Sequence, residues 1–108
     1  MQSNVDPVWS SLEHRFDPEH PTAAGHFPGT PIIPGALLLD QVLRAIAAQI
    51  SSTMPQEIRH AKFLYPVRPG DRVTLCWRRL DNGEVEFEIR LEDRARPVLV
   101  GAVKGPGQ

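Results

Sequence analysis

The sequence predicts one α+β domain in which an antiparallel sheet of about five strands wraps a single buried helix. Three observations carry this reading: where the prolines fall, one Ala/Leu-rich stretch of helical period, and two segments that alternate at period two. The chain has 108 residues, enough for one domain with little room for a second. Apolar residues make up 41% and charged residues 23%, which points to a folded soluble chain and away from disorder. A domain of this size buries only a moderate share of its surface, so help from a partner subunit is expected.

Prolines set the boundaries. Five of the eleven (Pro18, Pro21, Pro28, Pro31, Pro34) crowd into one stretch, and none falls between 35 and 54 or between 70 and 96. Proline fixes φ and removes a backbone donor, so regular structure is expected in the proline-free windows. The first window reads as a helix from Gly35 to about Ile50. Leu39, Val42, Leu43, Ile46, Ala47 and Ile50 form one apolar arc, and the polar face is thin, mainly Gln41 and Arg44. Such a helix must be largely buried. The second window reads as two strands. Val73, Leu75 and Trp77 alternate with Thr74, Cys76 and Arg78, and Val85, Phe87, Ile89 and Leu91 alternate with charged residues. Asp81-Asn82-Gly83 between them is a hairpin signal, because Asn and Gly tolerate φ > 0. Further strands are expected near Val8–Phe16, Glu57–Leu64 and Pro97–Val103.

Charge excludes some functions and leaves one question open. A formal net charge of −1 gives no global attraction to nucleic acid, and no nucleic-acid motif is present. Residues 44–79 nevertheless carry a net +5 and residues 80–93 a net −5. These blocks are either solvated faces of adjacent strands or a basic patch that docks an acidic partner. Cys76 is alone, which excludes an internal disulfide and fits a half-buried small apolar residue. His14, His20 and His26 match no usual zinc spacing, so neither metal nor cofactor is expected. The start MQSNVDPVW lacks the basic and apolar regions of a signal peptide, and the longest apolar run, Pro31–Leu39, is too short to span a bilayer. The expected location is the cytoplasm, with no membrane insertion.

The chemistry lies in Gly25–Asp40, GHFPGTPIIPGALLLD. A loop histidine, His26, sits among stiffening Gly and Pro residues. Gly35 permits close backbone approach where the helix begins, and the first helical turn leaves N–H groups unpaired and favourable to negative charge. Asp40 follows about one and a half turns later, at the edge of the apolar arc. A base, an oxyanion site and a carboxyl group that converge on one cavity would suit removal of a proton α to a carbonyl, followed by loss of a β-substituent.

The stretch resembles the signature of FabA/FabZ-type 3-hydroxyacyl-[acyl-carrier-protein] dehydratases, in which GHFPG-x-P-x-x-P-G opens a central helix and the catalytic carboxylate follows the histidine by fourteen positions. Asp40 is fourteen after His26. A second segment, KFLYPVRPGDRV (Lys62–Val73), resembles that family's K-F-x-x-P-V-x-P-G-D strand and turn. The resemblance implies a hotdog fold, a long helix wrapped by a curved antiparallel sheet, paired as a homodimer or a higher oligomer with sites drawn from both subunits. It implies that His26 takes the α proton, Asp40 assists departure of the β-hydroxyl, and the Gly35 N–H holds the thioester oxygen. Phe27, Pro28, Gly29 and Pro34 become substrate-binding candidates. The implied substrate is a 3-hydroxyacyl chain on a pantetheine arm, normally of acyl carrier protein. That partner is acidic, which gives Lys62, Arg68, Arg72, Arg78 and Arg79 a docking role.

One departure bears on mechanism. The family commonly has Gln one turn after the carboxylate, where this chain has Arg44. A cation there favours the ionised carboxylate and works against a general acid. Arg44 lies only about 40° around the wheel from Asp40, yet its long stem can carry the guanidinium outward. Arg44 is expected to point away and leave Asp40 free. Two other readings stay open: a hotdog protein that binds acyl chains or carrier protein without dehydrating, and a hotdog thioesterase.

Overall fold

The protein is described from a computed structural model, which covers residues 8–19, 31–51, 53–55, 57–92 and 96–105. Its elements are β1 (Ser10–Arg15), α1 (Gly35–Ile46) running into a π-helical turn (Ala47–Ser51), β2 (Ile58–Phe63), β3 (Arg72–Arg79), β4 (Val85–Leu91) and β5 (Pro97–Val103). The strands form one antiparallel sheet in the order β1-β3-β4-β5-β2, laid around α1, the single α-helix among the described residues. This is the expected hotdog fold.

The alternation in β3 and β4 builds the floor of the core. Register pairs Val73 with Leu91, Leu75 with Ile89 and Trp77 with Phe87. All six are buried, while Thr74, Cys76, Glu86 and Glu88 alternate to the other face and are only partly covered. The helix lies across β3 and β4 and buries Leu38, Val42, Leu43, Ala45 and Ile46. Each of these except Ala45 contributes roughly 1.5–3 kcal/mol relative to exposure. The buried arc is turned from the one expected: Leu38 and Ala45 replace Leu39, Ala47 and Ile50, which are only half-buried. The cause lies at both ends of the helix. Leu38 faces the segment after β2, and the π-helical turn from Ala47 widens the helix and shifts its phase.

Turn chemistry explains both connections that frame β3. Arg68-Pro69-Gly70-Asp71 closes with Asp71 N–H donating to the Arg68 carbonyl at 3.0 Å, and Gly70 takes φ 92°. Proline at the second position and a positive-φ glycine at the third make a type II turn. The β3–β4 hairpin closes through Gly83 N–H to the Leu80 carbonyl at 2.9 Å, a three-residue loop over Asp81-Asn82-Gly83.

A glycine in mid-strand normally weakens a sheet, but Gly101 has a packing reason. A Cβ there would lie 2.5 Å from the Phe87 ring and 2.4 Å from the His60 carbonyl oxygen, so the glycine lets the fully buried Phe87 ring reach the backbone of β5. Gly101→Ala is therefore expected to lower the unfolding free energy by about 1–3 kcal/mol in urea titration. Thr74→Ala, on the opposite face, is expected to stay within about 0.5 kcal/mol. Equal effects from the two substitutions would refute this packing account.

Candidate active site

The site grows from the first turn of α1. Pro34 precedes it at φ −56° and ψ 141°, with no side-chain cap. The Pro34 carbonyl accepts from Leu37 N–H at 2.9 Å and from Leu38 N–H at 3.4 Å. The Gly35 N–H, one of the orphan donors of the helix start, has no partner among the described residues. The stretch before the helix is anchored by Ile33 N–H to the Val67 carbonyl at 2.7 Å. The two motifs, far apart in sequence, are thus tied together at the helix entrance.

Phe63, the last residue of β2, completes the arrangement. Its ring lies where a side chain on residue 35 would be, since a Cβ on Gly35 would stand 2.8 Å from the ring. Around this contact opens a mainly apolar cavity of about 440 Å³, lined among others by Ile32, Gly35, Leu38, Phe63, Leu64 and Tyr65. An apolar hollow with one unpartnered N–H at its wall can take an acyl chain and hold a carbonyl oxygen by that donor. Leu64 and Tyr65 were not among the expected site residues, and neither was Phe63. Their sequence signals are the second motif, KFLYPVRPGDRV, and an unbroken apolar run, FLY, where a half-exposed strand should alternate.

Asp40 does not line this cavity. Five residues on from Gly35 and two from Leu38, it falls on the opposite flank of the helix, with its side chain 38% exposed. The expectation that Arg44 points away is corrected. Arg44 Nε donates to Asp40 Oδ2 at 2.7 Å, an i,i+4 ion pair whose arginine side chain remains 67% exposed. No other cation competes for Asp40 among the described residues, and the 40° offset lets the stem fold back without strain. His26, Phe27, Pro28 and Gly29 lie outside the described residues.

The basic residues do not form one patch. Arg72 and Arg79 stand at opposite ends of β3, about 23 Å apart for an extended strand of that length. Arg78 is already engaged, donating to Glu86 Oε1 at 2.7 Å and lying 4.2 Å over the Trp9 ring. Lys62, Arg68 and Arg79 are exposed. Burial, reinforced by Glu88, pushes the Cys76 thiol up, which keeps it protonated and unsuited to nucleophilic attack at neutral pH. Among the described residues no group of three or more His, Cys, Asp or Glu side chains could hold a metal ion, and no helix is long and apolar enough to cross a membrane.

Known proteins share this sequence and this fold. The 3-hydroxyacyl-[acyl-carrier-protein] dehydratase of Lactobacillus helveticus is 35% identical over 82 residues, covering 65% of this chain and 55% of that protein. Its counterpart from Chlamydia trachomatis is 38% identical over 65 residues, covering 51% and 42%. The chain thus spans about half the length of the curated relatives it matches. Among solved structures, the ApeI:P dehydratase heterocomplex of Xenorhabdus doucetiae superposes with a TM-score of 0.74 at 21% identity, over 94% of this chain and 90% of that one. A family model of ApeI-like dehydratases matches residues 3–100, and with that match across most of its length the chain belongs to the ApeI-like dehydratase family.

Proposed function

We infer that this protein dehydrates 3-hydroxyacyl thioesters carried on the pantetheine arm of an acyl carrier protein, as a cytoplasmic homodimer. The observation that carries the reading is the apolar cavity walled by the Gly35 N–H, which has no partner among the described residues. Phe63, Leu64 and Tyr65 take the acyl chain, and the thioester oxygen sits against Gly35. His26 removes the α proton. The negative charge that develops on the thioester oxygen is held by the Gly35 N–H at the positive end of α1. The electron pair then forms the α,β double bond, the β-carbon–oxygen bond breaks, and a proton from Asp40 turns the departing hydroxyl into water.

The position of Asp40 supports a shared site. Lying on the flank of α1 away from its own Gly35 cavity, it needs a second copy to reach one. The outer edge of β2 supplies a surface for that copy: Ile58 is 42% and Phe63 51% exposed, and among the described residues β2 pairs with β5 alone. Docking of the acidic carrier falls to Lys62 and Arg68, which adjoin the Phe63–Pro66 wall, together with Arg72; Arg79 is too remote and Arg78 is engaged.

One observation favours a second reading, a protein that binds acyl chains or carrier without dehydrating them. Arg44 takes up Asp40 Oδ2 in an ion pair, so that oxygen is engaged rather than free to meet a departing hydroxyl. Two experiments decide. Offered a 3-hydroxyacyl pantetheine thioester, the protein is expected to yield the enoyl thioester and no free thiol, with turnover at least about 100-fold lower in His26→Ala and in Asp40→Asn. Accumulation of free thiol would instead mark a thioesterase, and neither product a binding protein. Arg44→Gln, which releases Asp40 Oδ2, is expected to raise kcat about twofold, the scale of an exposed i,i+4 pair, at constant KM. A fall in kcat would mean that Arg44 assists the reaction.

A further inference from the structure

Four of the described arginines are matched with carboxylates. Arg44 meets Asp40, Arg59 meets Glu57 and Glu84, Arg78 meets Glu86, and Arg90 meets Glu88. Arg15 and Arg72, like Arg68, Arg79 and Arg96, are not, and what sets these two apart is that they face each other. They are directly opposed in the β1–β3 ladder, at its last register position. Arg72 alternates with buried Val73 and so projects on the face away from the helix, and Arg15 shares that face. Like charges so placed destabilise a sheet. Neither has an ion-pair partner among the described residues.

The surroundings hold Arg15 at its root, and neither cation is ion-paired among the described residues. Arg15 Nε donates to the Gly70 carbonyl at 3.3 Å, which fixes the root of the guanidinium and leaves its two outer nitrogens available. The type II turn beneath is clamped to the end of β1 by Phe16 N–H to the Asp71 carbonyl at 3.0 Å and by Gly70 N–H to the Phe16 carbonyl at 2.7 Å. Asp71 spends Oδ2 on the Arg68 N–H at 2.8 Å, inside the turn. Glu92 stands exposed at the rim and offsets part of the repulsion while the site is empty. Between these groups opens a polar hollow of about 420 Å³, lined by Arg15, Gly70, Asp71, Arg72, Leu91 and Glu92.

We propose that Arg15 and Arg72 form a phosphate-binding site that takes the phosphate of the arm carrying the acyl substrate. Two guanidinium forks on opposed strands present donors from two directions. A tetrahedral phosphate has enough oxygens to accept from both, whereas a carboxylate offers a single plane. The link to the acyl cavity is one stretch of chain. The segment after β2 lines the apolar cavity at Phe63–Pro66 and, past Val67, lines the polar hollow at Gly70–Arg72. A ligand with an apolar end and a phosphate end therefore has matching subsites at the two ends of one short, clamped segment. The assignment rests on the proposed thioester substrate for its arm, and on the arginine geometry alone for its phosphate.

The test separates those two parts. Inorganic phosphate is titrated into the full ¹⁵N-labelled chain at constant ionic strength. Amide shifts centred on Arg15, Gly70 and Arg72 are expected, and they should vanish in the Arg15→Gln/Arg72→Gln double variant. That variant is expected to melt no lower than the parent without phosphate, because a repulsive pair is removed. Absent shifts, or shifts retained in the variant, would overturn the site. In dehydration assays, the variant is expected to raise the ratio of KM for a phosphopantetheine thioester to KM for its dephosphorylated analogue by about tenfold. An unchanged ratio with active enzyme overturns the link to the arm and leaves the proposed function standing. Phosphate-dependent shifts in a chain that dehydrates neither thioester would sink the proposed function and keep the phosphate site.

Discussion

The hydrogen bond from Ile33 N–H to the Val67 carbonyl, 2.7 Å long, joins the two parts of the chain on which the rest depends. One part leads into α1 through Pro31 and Pro34; the other connects β2 to β3. Each is rich in proline and poor in backbone donors, so neither could be held by a regular ladder. Their meeting fixes where the helix begins relative to the sheet edge. Gly35 then lies beneath the Phe63 ring, and the first orphan amide of the helix lies at the wall of an apolar cavity rather than in bulk water. Fold and site share this seam. The sheet provides the floor for the buried arc of α1, and the seam sets which end of that arc stays open to a ligand.

The charge blocks show how local chemistry is settled by topology. Residues 44–79 are basic and residues 80–93 acidic, and the β3–β4 hairpin folds one block onto the other, so Arg78 faces Glu86 directly. The blocks are mainly solvated faces of adjacent strands, and each exposed pair contributes only about 0–1 kcal/mol. Their effect is more on register than on stability. A slip of one residue would place Arg78 opposite a buried apolar position and reverse the faces of the strand. Arg15 and Arg72 stand outside this matching because Arg15 belongs to β1 and Arg72 lies one residue beyond the β3–β4 register, where the β1–β3 ladder sets one against the other.

Much of this architecture was legible in the sequence, and the reasons are local. Proline-free windows located α1, β3 and β4, and Asn82-Gly83 marked the hairpin, since each signal acts within a few residues. The spacing of fourteen between His26 and Asp40 and the KFLYPVRPGD segment pointed to the family. What escaped was non-local. Strand order places β2 beside β5 rather than β3, so nothing in the neighbourhood of Phe63 announced that its ring would lie over Gly35. The cross-strand meeting of Arg15 and Arg72 was hidden for the same reason. The conformation of Arg44 was misjudged on a finer point: its long stem permits both outward and inward poses, and the nearby carboxylate decides.

The central claim is that the helix entrance, with Gly35 as donor and Phe63 as wall, is where the thioester binds. A crystal structure with a 3-hydroxyacyl pantetheine amide, which carries the same carbonyl and acyl chain but cannot be cleaved as a thioester, tests it most directly. The amide carbonyl oxygen is expected within hydrogen-bond distance of the Gly35 N–H, the acyl chain between Leu38 and Phe63, and Asp40 of a second copy beside the β-hydroxyl. An acyl chain seated elsewhere, or a carbonyl facing away from Gly35, would contradict it.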